Sequence, residues 1–195
     1  MTKIEEYKKE LLTLDLMKAN LYAIFTIIPV LILYGVPFIL LWRHTFSKME
    51  LKNFIDSYNL GIWGNMSFIL LVITIGIIAH ELIHGITWAM FTKNGFKSIK
   101  VGVLWKMLTP YCHCSEPLKV KHYIAGGIMP AIILGLFPFV YSLFTGNVLW
   151  LFFSIFFTMS AVGDLMIVNL VRKEDMNNFV LDHPSEVGCY VFKKE

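Results

Sequence analysis

The chain has 195 residues, of which 56% are hydrophobic, 15% aromatic and only 16% charged, with a mean hydropathy of +0.64. This is too apolar for a water-soluble domain of that size, so an integral membrane protein is expected, with the lipid bilayer as its first partner. The formal net charge of +3 is small, the lysines flank the apolar runs and no nucleic-acid motif competes, so the charge speaks to membrane topology and nucleic acid is not expected as a partner.

Three cysteines form no even disulfide framework, and Cys112 and Cys114 are separated by a single residue, too short a span for an easy bridge. Reduced thiols are expected. Lys3, Lys8 and Lys9 precede an apolar stretch that is too long for a secretory signal and lacks a small-residue cleavage site, so it is expected to stay attached as a membrane anchor.

In chain order, Thr2-x-x-Glu5 reads as a capping box. Ile4, Tyr7, Leu11 and Leu14 then recur at helical spacing, which predicts an amphipathic surface helix over residues 2–16 within an N-terminal segment 1–20. A first span is predicted over 21–42, close to the twenty or so residues a bilayer core needs, with Pro29 and Pro37 as kink points. Mixed composition over 43–65 predicts a loop with a short interfacial helix. A second span over 67–90 is stopped by Asn94-Gly95.

The period then changes. Ile99, Val101, Val103 and Trp105 alternate with Lys100, Gly102 and Leu104, which predicts a strand, and residues 111–114, beyond Pro110, are placed to pair back as a hairpin. A third span is predicted over 123–144, where Gly126, Gly127 and Gly135 permit close helix approach and Pro130 and Pro138 permit bends. A fourth follows over 148–171, its pairs Phe152-Phe153 and Phe156-Phe157 facing lipid or packing between helices. Residues 172–195 read as a short polar tail. The expected fold is an all-α polytopic membrane protein, a single membrane-embedded domain over 1–195 with about four transmembrane helices and a small β-hairpin after the second.

Lysine and arginine set the expected orientation. Lys3, Lys8, Lys9 and Lys18, the segment 93–121 and the tail are basic, whereas the link between the third and fourth spans carries no basic residue. This predicts a multi-pass protein of the cell membrane with both termini in the cytoplasm; Arg43, Lys48 and Lys52 are the exceptions on the outer side.

Within the second apolar run stands His80-Glu81-Leu82-Ile83-His84. Residues four apart on a helix lie about 40° apart around its axis, so His80 and His84 share a face and can hold one ion, with Glu81 beside them. This is the HExxH pattern: two neutral imidazoles bind Zn²⁺, and the adjacent carboxylate takes a proton from water that attacks a peptide carbonyl. Ionisable groups inside a membrane helix cost about 2.5–3.5 kcal/mol each, which argues for function over coincidence.

Catalytic zinc usually takes three protein ligands. Thr87 and Met90 stand where a metzincin would place its glycine and third histidine, so the third ligand lies elsewhere. Asp164 is the only Asp or Glu in the fourth apolar span, at matching depth, and Ser160, Ala161 and Gly163 would let its helix approach closely. The alternative is a structural aspartate capped by neighbouring hydroxyls or amides. Glu116, Glu174, Asp175, His113 and His122 are weaker candidates, at or beyond the interface.

The HExxH helix completed by a later aspartate resembles the site-2 protease class of intramembrane metalloproteases. More closely, the stretch from His80-Glu81-Leu82-Ile83-His84-Gly85 through Cys112-His113-Cys114 and Gly163-Asp164 to Asp182-His183-Pro184-Ser185 is similar to a bacterial membrane family of zincin peptidases. A typical site-2 protease has an Asn/Pro-containing stretch ending in Leu-Asp-Gly; here glycine precedes the aspartate and no proline is near.

The expected function is a zinc-dependent membrane-embedded endopeptidase acting on membrane-anchored or membrane-proximal peptides. His80, His84 and Asp164 would hold the metal and Glu81 would be general base and then proton donor. A transmembrane helix hides its own carbonyls, so a substrate must be held extended, and the strand bearing Ile99, Val101 and Val103 offers an edge for that purpose. The alternative is a non-hydrolytic metal-binding membrane protein, acting as a scaffold or as an immunity or transporter accessory factor; Glu81 favours the enzyme, since a pure metal anchor needs no base there. Cys112-His113-Cys114 offers soft ligands, but three consecutive side chains rarely converge on one ion, so a membrane-edge loop is the simpler reading. Asp182-His183-Pro184 reads as a turn, with an interaction or lid role as the alternative.

Overall fold

The computed structural model describes residues 7–43, 61–104, 109–183 and 187–194. In order these form strand β1 (Tyr7–Thr13), helix α1 (Leu16–Trp42), helix α2 (Gly61–Ala89), a 3₁₀ turn (Gly95–Ser98) and strands β2 (Ile99–Leu104), β3 (Thr109–Cys114) and β4 (Leu118–Lys119). Helix α3 (Val120–Thr145) follows, then α4 (Val148–Ser160), α5 (Val162–Val171), β5 (Phe179–Asp182) and β6 (Gly188–Lys194).

Among the described residues three helices are long and apolar enough to cross a membrane: 23 residues over Asn20–Trp42, 29 over Gly61–Ala89 and 26 over Val120–Thr145. The pair α4 and α5 makes a fourth candidate if taken as one span, but it is bent by 44° at its break. The protein is therefore mostly helical and has the span content of a membrane protein, with two small sheets added. The second helix begins at Gly61, ahead of the predicted 67, so the end of the expected 43–65 loop is helical. The interfacial helix expected earlier in that loop, and the capping box at Thr2 and Glu5, lie outside the described residues.

The alternating stretch after the motif helix forms the predicted hairpin, with Ile99 opposite Cys114, Lys100 opposite His113 and Val101 opposite Cys112. Trp105 falls outside the described residues. Gly85, the residue after the HExxH string, lets this hairpin sit against α2. A Cβ there would lie 3.0 Å from Ile99 Cγ2 and 3.3 Å from Cys112 Sγ.

Two expectations fail. Residues 7–13 are a strand, not part of an amphipathic helix, and the tail is not merely polar coil: β5 and β6 join β1 and β4 in a four-stranded antiparallel sheet of order β1-β6-β5-β4. Register explains the first error. A helix would gather Tyr7, Leu11 and Leu14 on one face, whereas the strand packs a partly buried Leu12 against the core and leaves Leu11 exposed. Seven residue pairs with β6 outweigh a weak local helical preference. Lys193 of β6 then bridges Glu10 of β1 at 2.7 Å and Glu174 after α5 at 3.0 Å.

Two apolar clusters organise the interior. One joins Tyr34 and Phe38 of α1 to Phe139 of α3 and Leu151 of α4. The other lies where α2 ends, and brings Trp88 together with Cys114, Leu118, Val120, Tyr123, Val171, Val180, Cys189 and Val191. It is the seam between the helices and both sheets. The paired phenylalanines divide their roles: Phe152 and Phe156 are exposed, whereas Phe157 is buried over Gly76.

Candidate metal centre

His80 and His84 lie on the last turns of α2, about 13 and 7 Å from its end at a rise of about 1.5 Å per residue, and both are buried. Asp164 lies on the first turn of α5, about 10 Å from that helix's end by the same measure. Both helices end at the sheet side of the molecule, so the three residues meet at one depth. A bend of 44° separates α5 from α4. His80 Nε2 is 3.0 Å from Asp164 Oδ2 and His84 Nε2 is 3.4 Å from Asp164 Oδ1. One donor atom from each of the three residues lies within 4.8 Å of the others.

The orientation of His84 originates in α3. Pro130 has no backbone N–H, so the carbonyl four residues before it, that of Gly126, receives no helical hydrogen bond from that position. His84 Nδ1 lies 2.9 Å from this Gly126 oxygen, which can only accept, so Nδ1 carries the proton and Nε2 presents a lone pair towards Asp164. Immediately beyond Pro130 the helix widens into a π segment, Ala131–Leu136.

An aromatic stack steadies the same ring. Trp88 stacks on His84 at 5.1 Å between centroids and on Tyr123 at 5.4 Å, and its Nε1 donates to the Tyr123 carbonyl at 3.1 Å. A side chain at Gly126 would overlap Trp88, which makes glycine a requirement of the close approach. Tyr123 in turn donates from its hydroxyl to Asp182 Oδ1 at 2.6 Å, while Asp182 Oδ2 accepts from the Cys114 backbone N–H at 2.8 Å. Burial raises the Asp182 carboxyl from its ordinary value, against the pull of these two hydrogen bonds. Asp182 thus ties β5, β3 and α3 together.

The donor set suits zinc. With Nδ1 of His84 protonated, Nε2 and Asp164 Oδ1 are two acceptors facing each other, an arrangement that a cation between them resolves. Their 3.4 Å separation, and the 3.0 Å from His80, lie near the roughly 3.3 Å between neighbouring ligand atoms that tetrahedral zinc with bonds of about 2.0–2.1 Å requires. His80 Nδ1 is buried without a hydrogen-bond partner among the described residues. Glu81, half-buried, lies within electrostatic range of all three residues and of Cys112.

The other sequence candidates stand apart. Glu116 pins the turn after α2, accepting from Lys93 N at 3.0 Å, Ser98 Oγ at 2.6 Å and the Asn94 amide. Glu174 holds Lys193, Asp175 accepts from Asn177 N, and His122 stacks on Phe91. Cys112 and Cys114 share one face of β3 and His113 takes the other, so the three do not converge. Burial pushes the Cys112 thiol up to about 12, with the Glu81 charge adding to it, and the Cys114 thiol to about 11. Of the strand residues, Ile99 packs inward, while Val101 and Val103 are exposed.

A family model described as "Putative zincin peptidase" matches residues 72–178, more than half of the chain. The chain belongs to that family. Membership implies a metallopeptidase and zinc, and the matched region carries the HExxH helix, the hairpin, the Gly126–Pro130 turn of α3 and Asp164. It ends before Asp182, so the zincin peptidase match does not include β5 and β6. No curated protein and no solved structure matches the chain.

Sequence reasoning passed over the roles of Trp88 and Tyr123, and read Gly126 only as a close-approach position, Pro130 only as a bend and Asp182 as part of a turn. Pro130 carried a usable signal, since a proline four residues after a glycine in an apolar helix marks a carbonyl free to accept. Asp182 stood in the Asp182-His183-Pro184-Ser185 string, but its supporting role had no local signal, because its partners come from two distant elements, α3 and β3.

Proposed function

We propose that this zincin peptidase is a zinc-dependent, membrane-embedded endopeptidase of the site-2 protease type. It cleaves membrane-anchored or membrane-proximal peptides. The observation that carries the reading is the meeting of His80, His84 and Asp164 from two apolar helices, with Glu81 beside them. These three side chains would hold Zn²⁺, which supplies a Lewis acid that activates water and polarises the scissile carbonyl. Glu81 accepts the proton released from water on its carboxylate and delivers it to the leaving amine nitrogen. The Gly126 carbonyl holds His84 in the tautomer that leaves Nε2 free to bind. Purified protein should contain zinc, lose peptidase activity on chelation and regain it when zinc is returned. A chelated, metal-free sample with full activity on a membrane-tethered peptide would sink the proposal.

Substrate is held by the free edge of β2, which has no partner strand besides β3 among the described residues. Main-chain hydrogen bonds there tolerate varied sequences, while Val101 and Val103 present side chains for selection and Ile99 fixes the strand to α2. Val101→Pro removes a backbone donor and should lower cleavage by about tenfold or more with zinc content unchanged. Undiminished cleavage would remove the strand from the mechanism.

The protein lies in the cell membrane with both termini cytoplasmic. Pairing of β1 with β6 supports a common side, and the lysine distribution supports the cytoplasm. A cysteine placed in the tail should react with a membrane-impermeant thiol reagent only after the cells are opened; labelling from outside would invert the topology.

A further inference from the structure

Beside the metal centre lies a cavity of about 470 Å³. His84 and Asp164 line it, together with the apolar surfaces of Trp88, Ile167 and Val168. Strand residues also line it, among them Lys100, Tyr111 and His113 of the hairpin and Asp182 of β5, with His183 just after that strand.

The hairpin face is built in an unusual way. Lys100 and His113 are direct cross-strand partners, and Gly102 and Tyr111 are the pair two residues along, so all four share a face. The missing side chain at Gly102 leaves room for the Tyr111 ring, which a Cβ would meet at 2.7 Å from its hydroxyl. A lysine opposite a histidine gains nothing from its partner, and the face gathers an ammonium, an imidazole and a phenol without an acid of its own. The nearby acid is Asp182, 3.8 Å from His113 Nδ1, but its two oxygens already accept from Tyr123 and Cys114. Asp164 is engaged with His80 and His84. This part of the cavity lining therefore offers hydrogen-bond donors and positive charge, with the nearby acids already committed.

We infer that this wall, formed by Lys100, Tyr111 and His113 with His183 facing from β5, is a subsite for a carboxylate of the peptide substrate. It rests on the peptidase reading and adds a specificity to it: an acidic side chain near the scissile bond, or the free C-terminal carboxylate, sits against the hairpin while the chain passes the metal centre. Charge-assisted hydrogen bonds from lysine and imidazole supply the recognition, and Trp88 and Ile167 cover the aliphatic stem.

The test measures binding, so it does not depend on turnover. Full-length Glu81→Gln protein, zinc-loaded in detergent, is titrated with three fluorescent peptides of one length: one with an internal glutamate and an amidated end, one with glutamine there and an amidated end, and one with glutamine and a free carboxylate. One of the two carboxylate peptides should bind about tenfold tighter than the neutral one, and which of them does so identifies the source. Lys100→Gln with His113→Gln should reduce the preference to about one, whereas Lys97→Gln, outside the cavity, should leave it intact. Lys100→Glu, at an exposed position, should reverse the preference towards a lysine-bearing peptide. Equal affinity for all three peptides, no measurable binding of any, or a preference unchanged in both Lys100 variants would overturn the subsite. Loss of cleavage by wild type towards every peptide, with the binding preference retained, would instead count against the peptidase reading alone.

Discussion

Glu81→Gln is expected to lower peptide hydrolysis by about 10²–10⁴-fold, the range general acid–base catalysis commonly supplies, while zinc stays bound. The amide keeps the size and the helical position of the carboxylate but cannot take up a proton. The proposed donors are His80, His84 and Asp164, which could hold a metal without Glu81, so stoichiometry measured by elemental analysis should match wild type. Turnover of a membrane-tethered peptide at the parent rate would remove Glu81 from the chemistry. The same variant separates the enzyme from a scaffold that uses only the metal: under the scaffold reading it would rescue a deletion strain as fully as wild type does.

Asp164→Ala is expected to have the largest effect on metal retention, weakening zinc binding by more than about 100-fold, beyond what loss of an outer partner of a ligand costs. Two imidazoles from one helix face remain, and the only carboxylate of the cluster is gone. Asp164→Asn provides the control for packing, because it keeps the volume at this partly exposed site and can still hydrogen-bond His80. If Asp164 were a structural partner of His80, the asparagine variant would keep its zinc and its activity. If it is a ligand, both variants lose zinc, and thermal unfolding should show the asparagine protein folded. An alanine variant with full zinc would exclude Asp164 from the centre.

What could be read from the sequence followed the physical range of each signal. Apolar runs are local and long, so α1, α2 and α3 were legible from 21–42, 67–90 and 123–144, and the two-residue period from Ile99 gave the hairpin. His80 and His84 meet through one helical turn, which spacing alone dictates, and Asp164 stood out as an isolated acid in oil. The four-stranded sheet was not legible, because β1 reads Tyr-Lys-Lys-Glu-Leu-Leu-Thr, a string with no strand period, and takes its conformation from β6. The bend between α4 and α5 was hidden for another reason: no proline marks it, and the apolar run is continuous through Ala161 and Val162.

The pairing of β1 with β6 has a consequence for biogenesis. β1 precedes every described helix and β6 follows them all, so the sheet cannot close until synthesis has passed the last of these helices. Asp182 belongs to that sheet and supports Tyr123 from it, and Tyr123 reaches His84 through the Trp88 stack. A nascent zincin peptidase therefore has its HExxH helix before that helix has its final supports, and the surroundings of His84 are complete only once synthesis has passed β6.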